Sequence, residues 1–450
     1  MSGTSSPSSI STRLRRIAEL ARRAPDMVIT SLAHRIDVDF LREAYRRTRK
    51  SGAPGVDGQT AVEYAKDLEA NLQSLLDRFK SGTYRAPAVR RVHIPKGDGS
   101  ETRPIGIPTF EDKVLQRAAT MVLEAVYEQD FLDCSYGFRP KRSVHQALAA
   151  LWQGSMTMRG GWVLEVDIRG FFDSLSHTHL RAILDQRVRD GVLRRMIDKW
   201  LKAGVQEDGG VTFSDSGTPQ GGVVSPVLAN VYLHTVVDKW FADVVLPRLE
   251  GAAFMIRYAD DMVIVFASVR DARRVRAVMP KRFGRFGLTL HPKKTRLVPF
   301  RRPQYRSRGK GVDEWGSQPQ DFDFLGFTHY WGRSRKGSWV IKRKTASSRF
   351  RRALLRIKEW CRRNRHKPVS EQQTTLAQKL RGHYGFYGIT GNSKALSSFR
   401  EQVVRIWKRW LERRSQRARL GWERFKKLLR RYPLPAPRAV HSVLRYAAKP

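Results

Sequence analysis

The segment Phe254-Met-Ile-Arg-Tyr-Ala-Asp-Asp-Met-Val-Ile-Val-Phe266 constrains this 450-residue chain more than any other. Two apolar, β-prone runs flank Tyr258-Ala259-Asp260-Asp261, a pattern that predicts a strand–turn–strand hairpin with adjacent carboxylates at its tip. Adjacent like charges repel unless a cation neutralises them, and hard carboxylate oxygens suit Mg²⁺. Asp is also a good turn former. On this segment alone a solvated Asp-rich turn explains the pattern as well as a metal site does.

A second segment, Trp162-Val-Leu-Glu-Val-Asp-Ile-Arg-Gly-Phe-Phe-Asp173, begins as a strand. With a period of two, Val163, Glu165 and Asp167 face one side and Leu164, Val166 and Ile168 the other. Asp167 stands at the strand's end, just before Gly170 breaks it. It either opens a turn or brings a third carboxylate beside the hairpin. Three carboxylates with two Mg²⁺ ions suit in-line phosphoryl transfer, one metal activating a 3′-hydroxyl and the other stabilising pyrophosphate.

Charge narrows the partners. Lys and Arg number 85 against 42 Asp and Glu, a formal charge of +43, and the pI is near 11.0. Such a surface favours a polyanion, because phosphate contacts release counterions. Residues 331–450 hold 34 of the basic and 5 of the acidic residues, so +29 lies in the C-terminal third. Basic residues there interleave with Trp360, Tyr384, Phe386, Tyr387, Trp407, Trp410 and Trp422, which suits backbone contact and base stacking. Several of these aromatics also fall at helical core spacing, as do Leu354, Ile357 and Cys361, and Val403, Ile406 and Leu411. No stretch of 18 apolar residues occurs, so no membrane partner is expected. Two distant cysteines, Cys134 and Cys361, exclude a disulfide scaffold. The histidines show no metal-binding spacing, so a zinc site is not expected.

Periodicity gives the rest of the layout. Residues 12–50 read as basic amphipathic helices, 52–58 as a loop, and 61–80 as helix again. Short strands follow over 88–108 around Lys96-Gly-Asp-Gly99, a hairpin signal. Helices and strands then alternate over 110–330.

Together these segments resemble the palm motifs of reverse transcriptases, and the chain as a whole resembles the group II intron reverse transcriptase/maturase family. An ordered series over about residues 50–400 carries the resemblance. It runs through Gly55-Val-Asp-Gly58, Ile94-Pro-Lys-Gly-Asp-Gly99, Arg103-Pro-Ile-Gly-Ile-Pro108, Cys134-Ser-Tyr-Gly-Phe-Arg-Pro140 and Asp167-Ile-Arg-Gly-Phe-Phe-Asp173. Gly217-Thr-Pro-Gln-Gly-Gly222, Tyr258-Ala-Asp-Asp261, Leu290-His-Pro-Lys-Lys-Thr295, Phe324-Leu-Gly-Phe327 and Leu380-Arg-Gly-His-Tyr-Gly-Phe-Tyr-Gly388 complete it.

The resemblance implies an α+β right-hand polymerase with fingers, a palm on an antiparallel sheet, and an α-helical thumb. The expected divisions are a basic helical extension over 1–50, fingers over 51–160, palm over 161–330, and a basic thumb/maturase region over 331–450. It implies an RNA-directed DNA polymerase, a nucleotidyltransferase adding dNTPs to a DNA primer on an RNA template with Mg²⁺, for which Mn²⁺ can substitute. A role in binding and splicing structured group II intron RNA, and in mobility, goes with it. The alternatives are a related reverse transcriptase diverted to host defence or repair, or an RNA-binding splicing cofactor without polymerase activity. No Cys/His-rich endonuclease segment follows residue 430, so a primer from elsewhere, such as a nascent replication strand, is expected. The expected location is cytoplasmic and bacterial-type, since Met1 to Ser11 only faintly resembles a transit peptide.

By the same resemblance, Asp167, Asp260 and Asp261 bind the catalytic Mg²⁺ ions, although in such palms the second Asp of the pair often stands back. The Ile168 carbonyl is a further candidate ligand. Phe172 matches the steric gate that excludes a ribonucleotide 2′-OH, with Phe171 competing for the assignment. Asp173 could instead read a 2′-OH, but Phe172 and the Tyr-Ala-Asp-Asp turn match the DNA-synthesising pattern. Lys96 and Arg103 flank a hairpin that can close over a triphosphate. Gln220 lines the nucleotide pocket, and Lys294, with Lys293 an equal candidate, meets the pyrophosphate. Phe324 to Phe327 resembles the hairpin that grips the primer end.

Overall fold

A computed structural model describes residues 7–96, 101–207, 209–213, 217, 221–303, 319–414 and 420–442. The chain opens with helices α1 (Pro7–Arg23), α2 (Val38–Arg47), α3 (Ala61–Tyr64) and α4 (Leu68–Ser81). Local chemistry sets their ends. Asp37 caps α2 by accepting the Phe40 N–H at 2.9 Å, Thr60 and Glu63 form a reciprocal capping box on α3, and Gly82 ends α4 in the left-handed region. The predicted hairpin follows as β1 (Val89–Lys96) and β2 (Glu101–Ile107), antiparallel with Arg90 opposite Ile107 and Lys96 opposite Glu101. Helix α5 (Phe110–Tyr127) is buried along most of its length, with α1 and α2 packed against it.

Next come α6 (Val144–Thr157), β3 (Trp162–Val166), α7 (Phe171–Ser174), α8 (His177–Asp185), α9 (Gly191–Leu201), β4 (Val205–Glu207) and β5 (Gly210–Thr212). Helix α10 (Ser225–Leu233) runs directly into a twelve-residue π-helix, His234–Val245. The predicted Asp-Asp hairpin is β6 (Ala253–Tyr258) and β7 (Asp261–Phe266), followed by α11 (Val269–Gly284) and β8 (Arg296–Pro299). The C-terminal part holds β9 (Phe322–Phe324), β10 (Phe327–Arg333), β11 (Trp339–Thr345), α12 (Ser347–Arg363), α13 (Val369–Tyr387), α14 (Ser393–Glu412) and α15 (Trp422–Arg431).

Two compact units result. One comprises Met1–Ser143 with Leu164–Arg296, the other Val144–Val163 with Leu297–Pro450, and the chain crosses between them at the start of α6, inside β3 and inside β8. In the first unit, β1 and β2 belong to a sheet ordered β2-β1-β4-β5, in which β1 and β4 are parallel. Strands β6 and β7 pair antiparallel from Ala253–Phe266 to Tyr258–Asp261, in a sheet ordered β6-β7-β3-β8. Strand β3 is buried on both of its faces. Val163, Leu164 and Val166 are all buried, as in a strand covered on both faces. Glu165 is the half-buried exception, and it receives the Arg296 guanidinium.

In the second unit, α12 to α15 form a bundle whose core includes Ile357, Cys361, Val403, Trp407 and Leu411, the stripes predicted from helical spacing. Of the interleaved aromatics, Tyr384 and Trp407 are core and Trp360, Tyr387 and Trp410 pack against it, whereas Trp422 is 49% exposed. The region expected to begin the α-helical thumb opens instead with strand, because β10 runs to Arg333 and β11 precedes the first helix. Buried Ile341, Arg343 and Thr345 alternate with more exposed Lys342 and Lys344, a strand period. The charges disguised it, since Arg343 is buried and donates to the Leu148 carbonyl at 3.2 Å. The Phe324-to-Phe327 motif is a two-residue hairpin turn with positive φ at Leu325 (49°) and Gly326 (85°), the conformation that matches strand twist. Among the described residues no helix is long and apolar enough to cross a membrane.

Candidate active site

Asp260 occupies the tip of the β6–β7 hairpin, directly after Ala259, which is held left-handed at φ 56°. Its carboxyl lies above the usual range, first because it is buried and further because the Asp167 charge is near. The Arg103 and Arg257 cations act in the opposite direction. Asp167, Asp260 and Arg103 therefore share one electrostatic site within the first unit.

The loop that follows β3 places Asp167. Its carbonyl accepts the His291 N–H at 2.8 Å, and Arg169 N–H donates to the Thr289 carbonyl at 2.8 Å, on either side of the Ile168–Leu290 bridge. These two bonds do not use the Ile168 carbonyl. The Lys294 ammonium stands 3.4 Å from Asp167 Oδ2, which favours Lys294 over Lys293. Asp261 opens β7 and is exposed. Asp260, by contrast, is a half-buried residue of the turn itself. The structure thus brings Asp167 and Asp260 into one electrostatic site. Among the described residues no group of three or more His, Cys, Asp or Glu is placed to hold a metal.

Hard oxygen donors, one of them on a buried carboxyl burdened by a second negative charge, still suit a divalent cation, which would relieve both penalties. Asp167 and Asp260, with the Ile168 carbonyl, fit that group.

Phe171 is buried, whereas Phe172 is half-buried. Gln220 and the side chain of Lys96 lie outside the described residues. The described residues on either side of Gln220 make close backbone contacts. Gly217 N–H donates to the Leu175 carbonyl at 2.8 Å, and Gly221, at φ 120°, lies so close to Gly106 that a Cβ would clash with its carbonyl. Beyond Gly222, the Val223 and Val224 N–H groups donate to Gln116 Oε1 at 2.7 and 3.2 Å.

Sequence reading missed Gln116 and what orients it. Asp112 accepts from Gln116 Nε2 at 2.8 Å, Trp200 Nε1 at 2.7 Å and Tyr84 OH at 3.1 Å, and burial pushes its carboxyl up to about 6. The folded state therefore holds the Asp112 proton more tightly than the unfolded chain, whose value is near 3.8. Between those values, stability contributed by Asp112 falls as pH rises. Asp112→Asn should flatten the change in thermal midpoint between pH 4 and 6.5 and cost about 1–3 kcal/mol, because an amide cannot accept on both sides. An unchanged pH slope in the variant would assign the titration elsewhere.

Arg257 was also missed. The available signal was a lone cation in the apolar run 254–257. It is fully buried and paired with Asp238 of the π-helix.

A reverse transcriptase (RNA-dependent DNA polymerase) family profile matches residues 94–329, over half the chain, including both carboxylate segments. Group II intron-encoded protein LtrA of Lactococcus lactis subsp. cremoris is 37% identical over 231 residues, 50% of this chain and 38% of LtrA. This chain belongs to the group II intron reverse transcriptase/maturase family. The reverse transcriptase is also 36% identical to Protein YkfC of Escherichia coli over 289 residues, 57% of this chain and 75% of the relative. It is 32% identical to an uncharacterized 91 kDa protein in the cob intron of Schizosaccharomyces pombe over 230 residues, 49% and 28% of the two chains. The matches to LtrA and the cob-intron protein span well under half of those relatives. The fold class is the right-hand polymerase, with mixed helices and antiparallel sheets, and the enzyme class is RNA-directed DNA polymerase. Reverse transcriptases generally use divalent cations.

Proposed function

We propose that this reverse transcriptase extends a DNA primer on an RNA template with dNTPs, and that Asp167 and Asp260 hold the catalytic Mg²⁺. The observation that supports it best is the half-buried Asp260 carboxyl under the charge of Asp167, bordered by Arg103 and Lys294. Two Mg²⁺ ions, with Ile168 and Asp261 as further donors, would supply Lewis acidity to the primer hydroxyl and the leaving pyrophosphate. The chain's own residues do the remainder. Arg103, exposed on β2, pairs with triphosphate oxygens whose charge builds during transfer, and Lys96 acts with it. Lys294 meets the pyrophosphate from the Asp167 side, and Gln220 lines the nucleotide pocket.

Phe172 excludes the ribonucleotide 2′-OH by occupying its space, a clash used for specificity. Phe172→Ala should raise ribonucleotide incorporation about tenfold or more relative to dNTPs. Unchanged discrimination in competition assays would move the gate to another residue.

In the same reading, residues 51–160 act as fingers, 161–330 as palm and 331–450 as thumb, with a cytoplasmic setting. The basic thumb holds template–primer duplex and structured group II intron RNA through phosphate and 2′-OH contacts, giving a maturase role beside synthesis. Purified protein given an RNA template, annealed primer, dNTPs and Mg²⁺ should extend the primer. Retained RNA binding without extension would overturn the polymerase reading in favour of a splicing-only role.

A further inference from the structure

We propose that Arg257, held by Asp238 and Asn230, is a positioning residue that fixes the Ala259–Asp260 turn in the conformation from which Asp260 meets its metal. The inference rests on the reading of Asp260 as a metal ligand.

Arg257 lies in β6 among apolar neighbours and has no solvent exposure, and neither has Asp238. A guanidinium so placed is tolerated only when its donors are used. Nε and Nη2 donate to the two Asp238 oxygens at 2.7 and 2.5 Å. Nη1 donates to Asn230 Oδ1 at 3.0 Å and to the Ala259 carbonyl at 3.1 Å. That last bond ties the cation to the residue before Asp260. Ala259 is left-handed without being glycine, a conformation that persists only where surroundings impose it.

The surroundings do so from two directions. Below the turn is the guanidinium. Beside it runs the chain from Cys134 to Gly137, where Arg257 N–H donates to the Cys134 carbonyl at 2.7 Å and Tyr136 N–H donates to the Arg257 carbonyl at 2.8 Å. Gly137 lies against the Ala259 backbone so closely that a Cβ would clash with it. Asn230 joins the two sides, since its Nδ2 donates to the Gly137 carbonyl at 2.8 Å.

Stability alone gives weak grounds for this arrangement, because well-packed apolar residues often replace a buried ion pair at no loss. The placement of its partner is also unusual. Asp238 sits on the π-helix that continues α10, a rare winding frequently found at functional sites. Asn230, on α10, lies on the same continuous element.

The test uses full-length protein and Mn²⁺ as probe, titrated by electron paramagnetic resonance, beside primer extension across a range of Mg²⁺. Asp260→Ala reports on the underlying reading: it should lose the tight Mn²⁺ site, and wild-type Mn²⁺ binding by that variant would remove the metal assignment and this proposal with it. With that site confirmed, Arg257→Lys and Asn230→Ala should weaken Mn²⁺ about ten- to hundredfold, the usual effect of losing a partner that orients a ligand. Extension should shift to higher Mg²⁺ and lose kcat, while KM for template–primer and RNA affinity hold. A purely structural role would lower the thermal midpoint without moving the metal titration. Folded variants with wild-type Mn²⁺ and Mg²⁺ midpoints overturn the proposal. Should Arg257→Lys fail to fold, Asn230→Ala decides alone, since it leaves the Arg257–Asp238 pair in place.

Discussion

Asp260→Ala should abolish RNA-templated dNTP incorporation, by about 10³-fold or more, while RNA affinity stays near wild type. The size follows from where the carboxyl sits. It is half-buried, and Asp167 alone would leave an incomplete set of oxygen donors. RNA binding should be spared because the basic charge is concentrated in residues 331–450, far along the chain. Asp260→Asn separates charge from shape: it keeps the side-chain volume and should be as inactive as alanine. Single-turnover extension beside filter binding makes the measurement. Substantial extension by the asparagine variant would mean that the turn, and not the negative charge, matters for synthesis.

RNA affinity should fall about 10³-fold or more between 50 and 200 mM monovalent salt, the response of a surface that neutralises six or more phosphates. The +29 of residues 331–450 supplies the charge. Helix α12 shows how it is presented, with Arg351, Arg356, Lys358, Arg362 and Arg363 exposed. Glu359 engages Arg362 and Arg363, so those two are partly neutralised in place. Arg356→Ala should reduce the slope of log affinity against log salt by about one if that residue meets a phosphate. A flat dependence would show that the basic surface does not hold RNA.

Where a local pattern was enough, the sequence was readable. Apolar runs around Tyr258 to Asp261 specified β6 and β7, the Lys96-to-Gly99 turn residues specified the β1–β2 hairpin, and helical stripes specified the bundle core. What failed depended on long-range contact. Strand β11 was hidden because Arg343 counts as a surface charge until Leu148, 195 residues away, accepts its hydrogen bond. Arg257 and Gln116 take their meaning from partners 19 and 107 residues distant. No local period reports such pairs.

The segment Val144–Val163 has a consequence for how the chain can be divided. It belongs with residues 297–450, where Trp152 Nε1 donates to the Ile341 carbonyl at 2.9 Å and Phe300 N–H to the Gly161 carbonyl at 2.8 Å. A C-terminal fragment beginning at residue 297 would lack one wall of its own interior. An N-terminal fragment ending at residue 296 would carry an orphan helix with a buried face and nothing to cover it. During synthesis, Trp152 of α6 emerges 189 residues before its β11 partner Ile341, and α6 must wait for that strand with apolar surface uncovered. Independent expression of the basic C-terminal unit therefore calls for a circularly rearranged chain that restores residues 144–163 to it, rather than a simple cut.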